Sequence, residues 1–490
     1  MRLILLFSLV SVFLTVSGKV SGKVSASNSH ASTQNTWVQQ TPNISAPSLT
    51  FLQAVKLGDR DIVAKKLKQG VNVDDIQDGH YSPLFFASAK GYDQIAQLLI
   101  QYGANPNVAG RGGWTPLMVA AMHGQNKNIT LLLNAGANLE LQHVQGKSAL
   151  MIAIEFDKID TVNQLIQRGA DVKARRHNTH STGQSVLSLA VEHGNIDIVK
   201  TLLAVGTNVN NRNFNSEGPI ASAIEKGQKD IVALLLKYDS KIQKNDNKWD
   251  SHNNRGNSNP TSDNRNSRLH HAAKYGTPEI LQLLLASGEN PKQKNNSGNS
   301  ALMIAARAGK IGNVEVLASF ATQEEIQDVF HIVITTGITT GVSKILALGA
   351  NVNATNTLGE TPLMLAVANR HHLIVDVLLS EGANIQGVSN EGGDALMMAL
   401  STTPSKQRIV TTLIDQGANV QRKNTSGDTA LHVAAKHCAE LDFSVVEALL
   451  GAGAKANDIN NKGEHARDLI TDKCLLPAQN EWNTWKHNAL

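Results

Sequence analysis

Hydrophobic positions in this chain come in short paired bursts with helical spacing. In the stretch that starts at Thr115, Leu117, Ala120 and Ala121 share one helical face; after Gly124, Ile129, Leu132 and Leu133 build a second. Thr115 can cap the first helix. Pro116 suits the first helical position, where its missing N–H is harmless and its fixed φ is already helical. Gly124 ends that helix, because a left-handed terminal residue costs glycine little. Gly136 closes the second helix, and Asn138 and the residues after it lead through an extended hairpin to the next pair. Two helices this short cannot bury both faces alone. The pattern therefore predicts stacked units whose stability is a sum of unit and interface terms.

The unit recurs. Ser82-Pro83-Leu84, Thr115-Pro116-Leu117 and Ser148-Ala149-Leu150 follow one another at steps of 33 residues. Further copies start at Ser185, Gly218, Ser267, Ser300, Asp328, Thr361, Asp394, Thr429 and Glu464, and a weaker first copy starts at Leu49. Glycines confirm the register. Gly58, Gly91, Gly124, Gly194, Gly227, Gly276, Gly309 and Gly337 lie nine residues after their anchors, and Gly70, Gly103, Gly136, Gly169, Gly206, Gly288, Gly349 and Gly382 lie twenty-one after. The expectation is an all-α repeat solenoid of helix-turn-helix units with β-hairpin loops, about 12 stacked repeats, the first and last acting as polar caps. Leu49 to Gly70 has no preceding hairpin and exposes Lys56, Asp59 and Arg60, while Trp482 and Trp485 are placed to cover the last layer.

Period and wording resemble the ankyrin repeat. The family's pattern is matched by Thr361-Pro362-Leu363-Met364, Ala366, Val375, Leu378-Leu379 and Gly382-Ala383-Asn384, and Gly349-Ala350-Asn351-Val352-Asn353 supplies the hairpin piece. The resemblance spans residues 49 to about 475. Since such proteins hold other proteins on an extended surface of hairpin tips and first-helix faces, it implies a non-catalytic binding scaffold.

Departures from the period mark the places where more than stacking is at stake. Four extra residues fall within Arg175 to Gly183, where Lys173, Arg175, Arg176, His177 and His180 crowd one tip, either a basic contact finger or a solvated loop. A longer excess at 243–266 is rich in asparagine and reads as a disordered insertion whose large apolar residue, Trp249, has the form of an exposed anchor. From Ser300 to Asp328 the step is only 28, so a notch in the hairpin row is expected, with no break in the helical stack. Cys438 and Cys474 sit in adjacent inter-helix turns. Layers roughly 10 Å apart exceed the disulfide Cα limit of about 7 Å, so a bridge needs local irregularity; two free thiols are the alternative.

Ahead of the repeats, Met1-Arg2 precedes Leu3 to Val16, a run of 14 residues without charge or proline. It is shorter than the roughly 20 residues of a spanning helix, and small residues follow, the order of a secretory signal peptide. The divisions are 1–18 signal peptide, 19–48 flexible leader, 49–475 repeat domain and 476–490 C-terminal cap and tail. A secreted or periplasmic protein follows, with no membrane association once the signal is removed.

Composition narrows the chemistry. Only 4% of the residues are aromatic against 41% hydrophobic, which suits thin layers of Leu, Ala, Val and Ile, and a net charge of +4 argues against nucleic acid. Gly146-Lys147-Ser148 lacks the earlier glycine of a phosphate loop, and Ser148 is a repeat anchor. His270, His331 and His432 share the slot three after the anchor, as do Met118, Met151, Met303, Met364 and Met397, so register explains them better than a metal or cofactor site. The expectation is no enzyme and no cofactor, and a monomer that binds a protein partner through Arg111, Trp114, Arg175, Arg176, Trp249, Lys292, Lys294, Arg422 and Lys423. The positive tips favour an acidic partner. An effector-like factor acting on proteins of another cell is the alternative, and an enzyme with a site in the insertion a third.

Overall fold

The computed structural model describes residues 49–76, 80–176, 183–210, 218–242, 266–401, 407–437, 441–470 and 485. The chain divides into Met1–Thr50 and Phe51–Leu490, and only the second unit is described below. The signal peptide, the whole leader, His177 and His180, the insertion with Trp249 up to residue 265, both cysteines and Trp482 lie outside the described residues.

The described residues hold 24 α-helices, two 3-10 turns and no strands. Helices come in pairs, for example Pro83–Lys90 with Asp93–Gln101 and Pro116–His123 with Asn126–Asn134. First helices stack on first helices and second helices on second helices, from Phe51–Leu57 to Ser444–Gly451. The stack continues across residues 243–265: Pro219–Glu225 packs on Arg268–Tyr275, and Lys229–Ile242 on Pro278–Ala286.

Local chemistry accounts for the helix ends. Hydroxyls at the anchors accept the backbone N–H three residues on, as Thr115 does from Met118 at 3.3 Å and Thr361 from Met364 at 3.2 Å. Gly91, Gly124 and Gly194 end first helices in the left-handed conformation. In the Ser148 and Thr361 units the same position is filled by Asp157 and Arg370, which take φ of 54° and 63°. Gly276 departs from the rule with φ −78°; there the buried amide of Asn313 donates to the carbonyls of Ala272, Ala273 and Gly276 and closes the helix end.

Packing follows the apolar faces. Leu117, Ala120, Ala121, Ile129 and Leu132 are buried and Leu133 is half-buried, and Met118, Met151, Met364 and Met397 are core residues. Each fully buried Leu or Ile contributes on the order of 1.5–3 kcal/mol, so many thin layers sum to a stable stack.

Two expectations need correction. The loops between units are not two-stranded hairpins among the described residues: three isolated antiparallel bridges, Arg175 with Ser185, Lys294 with Ser300 and Ile459 with His465, are what remains. In the loop 424–428 the N–H of Asn424 donates to the carbonyl of Asp428, but the return bond goes to the Asn424 side chain, whose Oδ1 accepts from both Ser426 and Asp428. A side chain that takes the second bond closes the turn at one rung and starts no ladder. The last anchor is His465, one residue beyond Glu464, and it heads the 3-10 turn Ala466–Leu469.

The notch takes the expected form. Thr322 and Glu325 form a capping box that starts the 13-residue helix Gln323–Thr335, so the first helix of that unit begins where other units have a loop. Both helix rows run through it.

Candidate functional site

The inter-unit tips are built to one local plan. Asn295, Asn356, Asn424 and Asn460 each accept, on Oδ1, the N–H groups two and four residues on, at 2.9–3.1 Å. A glycine follows three residues after each, and Gly298, Gly359, Gly427 and Gly463 all have φ near +75°. Consecutive tips are joined through backbone bonds, Asn390 N–H to the Leu358 carbonyl at 3.1 Å, Thr425 to Glu391 at 3.2 Å and Asn461 to Ser426 at 3.1 Å. At Gly427 a Cβ would lie 2.6 Å from the Asn461 backbone nitrogen, so tip-on-tip contact itself excludes a side chain there.

His143 takes the asparagine slot in the tip before Ser148. Its Nδ1 accepts from the Gln145 N–H at 3.0 Å, and its ring stacks on Trp114 with centroids 4.9 Å apart and planes 9° apart. Burial, then the nearby Lys147 ammonium, lowers its pKa from 6.5 to about 4, with Glu155 opposing and Arg176 reinforcing. The imidazole is therefore neutral at neutral pH, consistent with Nδ1 acting as an acceptor.

The sequence-derived residues separate into groups. Arg111, Trp114, Arg175 and Arg176 meet on three consecutive tips. Val144 N–H donates to the Gly112 carbonyl at 2.8 Å, Arg176 Nε donates to the Gln145 carbonyl at 2.8 Å and Gln142 Nε2 to the Arg175 carbonyl at 3.3 Å. Arg111 is exposed and Trp114, Arg175 and Arg176 are half-buried. Lys147, on the tip before Ser148, is buried with its ammonium 2.6 Å from both oxygens of Glu155. Arg422 turns inward, its Nε 3.3 Å from the buried carboxylate of Asp394, and Lys423 donates to the Ile459 carbonyl at 2.8 Å. Burial raises the Asp394 pKa, against the Met397 N–H and Arg422. Lys292 and Lys294 are exposed on a separate tip.

A groove of about 570 Å³ lies on the second-helix face between Pro278–Ala286 and Ile311–Ala318, floored by Gly312 and edged by the half-exposed Phe320. No group of three or more potential metal ligands occurs among the described residues, and no described helix is long and apolar enough to cross a membrane.

Sequence comparison decides the family. The description "Ankyrin repeats (3 copies)" matches residues 51–143, 109–176, 150–247, 251–328 and 330–424, and "Ankyrin repeat" matches 426–462. The chain belongs to the ankyrin repeat family. It is similar to the B-cell lymphoma 3 protein homolog of Mus musculus at 27% identity over 145 residues, 28% of this chain and 32% of that protein. The match thus spans about a third of that relative's length. Among solved structures, the crystal structure of the human ASB11 ankyrin repeat domain is similar at 25% identity with a TM-score of 0.39, covering 49% of this chain and 98% of that one. Ankyrin repeats make the chain a protein–protein interaction scaffold in the broad sense.

Several features of these ankyrin repeats escape a reading of the anchors alone. Eight residues before the anchor, Asp74, Asn107, Glu140 and Asn353 accept the backbone N–H of Asn105, Asn138, Asp171 and Asn384 in the next unit at 2.7–3.2 Å. Asn107 also donates to the Gly136 carbonyl at 3.0 Å, and Gln386 and Gln421 donate to the carbonyls of Gly417 and Gly453 at 2.9 Å. At the notch the same work is split between two helical glutamines: Gln327 Oε1 accepts from Asn351 at 2.9 Å, and Gln323 donates to the Gly349 carbonyl. A second missed pattern couples the residue before the anchor to the one seven after it, as Lys147 with Glu155, Gln184 with Glu192 and Asp428 with Lys436. The signal was available as a recurring polar pair at a separation of eight, with the charges exchanged in the last copy. His270 and His432 serve as caps: their Nδ1 faces the anchor N–H at 3.2 Å and their Nε2 the carbonyls of Asn299 and Glu464 at 3.1 Å.

Proposed function

We propose that this chain is a non-catalytic ankyrin scaffold, exported from the cytosol, that holds a protein partner on its row of loop tips. The observation that carries the reading is the coupling of successive tips, by backbone bonds and by the Asn, Gln and carboxylate links, into a rigid row. A preordered surface binds with less loss of freedom than separate loops would. Buried His270 and His432 serve as caps, and the buried methionines belong to the core. The export part rests on the apolar run Leu3 to Val16 after Met1-Arg2.

The test is crosslinking in the native compartment followed by mass spectrometry. The expected result is protein crosslinks concentrated on residues 109–176, 292–294 and 356–464; crosslinks confined to the second helices would remove the tip reading. N-terminal sequencing of the native protein is expected to begin after residue 18, and an intact Met1 in a cytosolic fraction would sink export. Delivery to another cell is the second reading, and retention between membranes would exclude it.

A further inference from the structure

The row of tips is broken at the notch. Where tip lies on tip, a Cβ on Gly359, Gly392 or Gly427 would stand 2.8, 3.1 or 2.6 Å from the backbone nitrogen of Asn390, Thr425 or Asn461. Gly298 holds the same place in the 295–299 tip, with φ +74°, yet a Cβ there would meet nothing within 4 Å. Gly463, on the last described tip, is open in the same way. The 295–299 tip therefore has the face of a row's end, although both helix rows run on past it. The far side of the break is open as well. Asn390, Thr425 and Asn461 each donate their N–H to the preceding tip, while the N–H of exposed Thr357, their counterpart, makes no hydrogen bond among the described residues.

Register brings two more donors to the gap. Gln386 and Gln421, eight residues before their anchors, donate to carbonyls of the next unit, and Lys423, six before its anchor, donates to the Ile459 carbonyl. Lys292 and Lys294 fill these two slots before Ser300, and both are exposed. The tip that would supply their carbonyls is missing, and their ammonium groups bond to no described residue. In place of that tip the chain has residues 319–322 and the first turns of Gln323–Thr335. Glu324 and Asp328, four residues apart, are exposed on the helix face opposite the buried Ile326, Val329 and Phe330. Neither pairs with a cation among the described residues. Like charges at that spacing oppose each other, so a cation placed between them is favoured. Phe320, at the other end of the gap, is exposed on the edge of the groove beside Pro278–Ala286.

We infer that this gap, one tip wide, is a docking slot for a reverse-turn loop of a protein partner. The loop takes the place of the missing tip. Its backbone lies against Gly298, and its carbonyls accept from the Thr357 N–H, Lys292 and Lys294. A Lys or Arg of the loop meets Glu324 and Asp328, and an apolar side chain covers Phe320. The row itself selects a turn as the occupant, because a turn fills the corresponding place at 389–393 and at 424–428. The unmatched carboxylates select a basic residue on it. The inference rests on the scaffold reading and narrows it to one place and one partner chemistry.

The test uses the full mature chain as bait for a displayed library of random peptides closed into turns by a disulfide, followed by affinity measurement of the best synthetic peptide. Gly298→His plugs the slot, since histidine is among the residues that tolerate positive φ and nothing in the chain stands in its way. Gly463→His places the same side chain on the other open face and serves as the control. Glu324→Gln with Asp328→Asn removes the charge, and each variant is verified as folded by circular dichroism. Selected peptides are expected to carry Lys or Arg. Their affinity is expected to fall about tenfold or more in Gly298→His and in the carboxylate variant, and to be unchanged in Gly463→His. Binding is also expected to slow hydrogen exchange at the Thr357 amide. Peptides that bind Gly298→His as well as the parent, equal loss in Gly463→His, or an unprotected Thr357 amide overturn the slot while the scaffold stands. Failure to enrich any peptide also overturns the slot, and the scaffold reading then stands or falls on crosslinking in the native compartment.

Discussion

The His143 site makes a quantitative prediction that can be read without a partner. In the folded chain this imidazole takes up a proton only near pH 4, against an ordinary value of 6.5. The unfolded chain therefore binds the extra proton in between, so stability is lost as pH falls through 6.5, and the loss is complete below about 4. The full span corresponds to about 3 kcal/mol. His143→Asn is the chosen perturbation because asparagine fills the same slot in four other tips and accepts the same N–H two residues on. The variant forfeits the stack on Trp114, worth about 1 kcal/mol, and should be the less stable protein at pH 7. It lacks the proton-linked loss, so the order should reverse near pH 5.8, where that loss reaches roughly 1 kcal/mol. The assay is urea unfolding followed by far-UV circular dichroism from pH 4 to 8, read as the difference between the two proteins, which cancels the other histidines of the 17 in the chain. A difference that stays constant with pH would refute the claim that burial holds His143 neutral.

Further consequences follow from other contacts. Asp239, 2.5 Å from Arg268 and also accepting from Asn210, ties together the two sides of residues 243–265 in a buried ion pair; Asp239→Ala should cost about 3–5 kcal/mol in urea unfolding, and pairing Asp239→Leu with Arg268→Met should recover most of it. Arg370→Gly should raise stability by about 1 kcal/mol, because it relieves a left-handed non-glycine residue, whereas Gly427→Ala should lower it by at least that amount. Gln327→Ala should cost about 1 kcal/mol and speed hydrogen exchange at the Asn351 amide, since no loop stands behind that bond at the notch.

Legibility in the sequence was high wherever one residue decides one local conformation. Thr115, Thr361 and Ser82 are caps because a hydroxyl at that point can accept the third N–H on, and the structure shows those bonds. Of the sixteen glycines used for register, all but Gly276 adopt positive φ. Reading failed where a bond crosses between units. Arg422 looked like an outward charge on a tip, but Asp394, far from it in sequence, draws it inward. The β-hairpins failed for a related reason, because the loop asparagine competes with the backbone for the second hydrogen bond, and propensity alone does not show who wins.

The sequence by itself determined the unit, its register, its caps and its apolar faces, because these depend on spacings of three, four and thirty-three residues along one chain. Tertiary structure decided which charged side chains remain available to a partner. That depends on what the neighbouring unit offers about thirty residues away, as Asn107 meets Asn138 and Arg176 meets Gln145. Stacking converts a one-dimensional repeat into lateral contacts, and those contacts leave Arg111 and Val144 outside while taking Arg422 in.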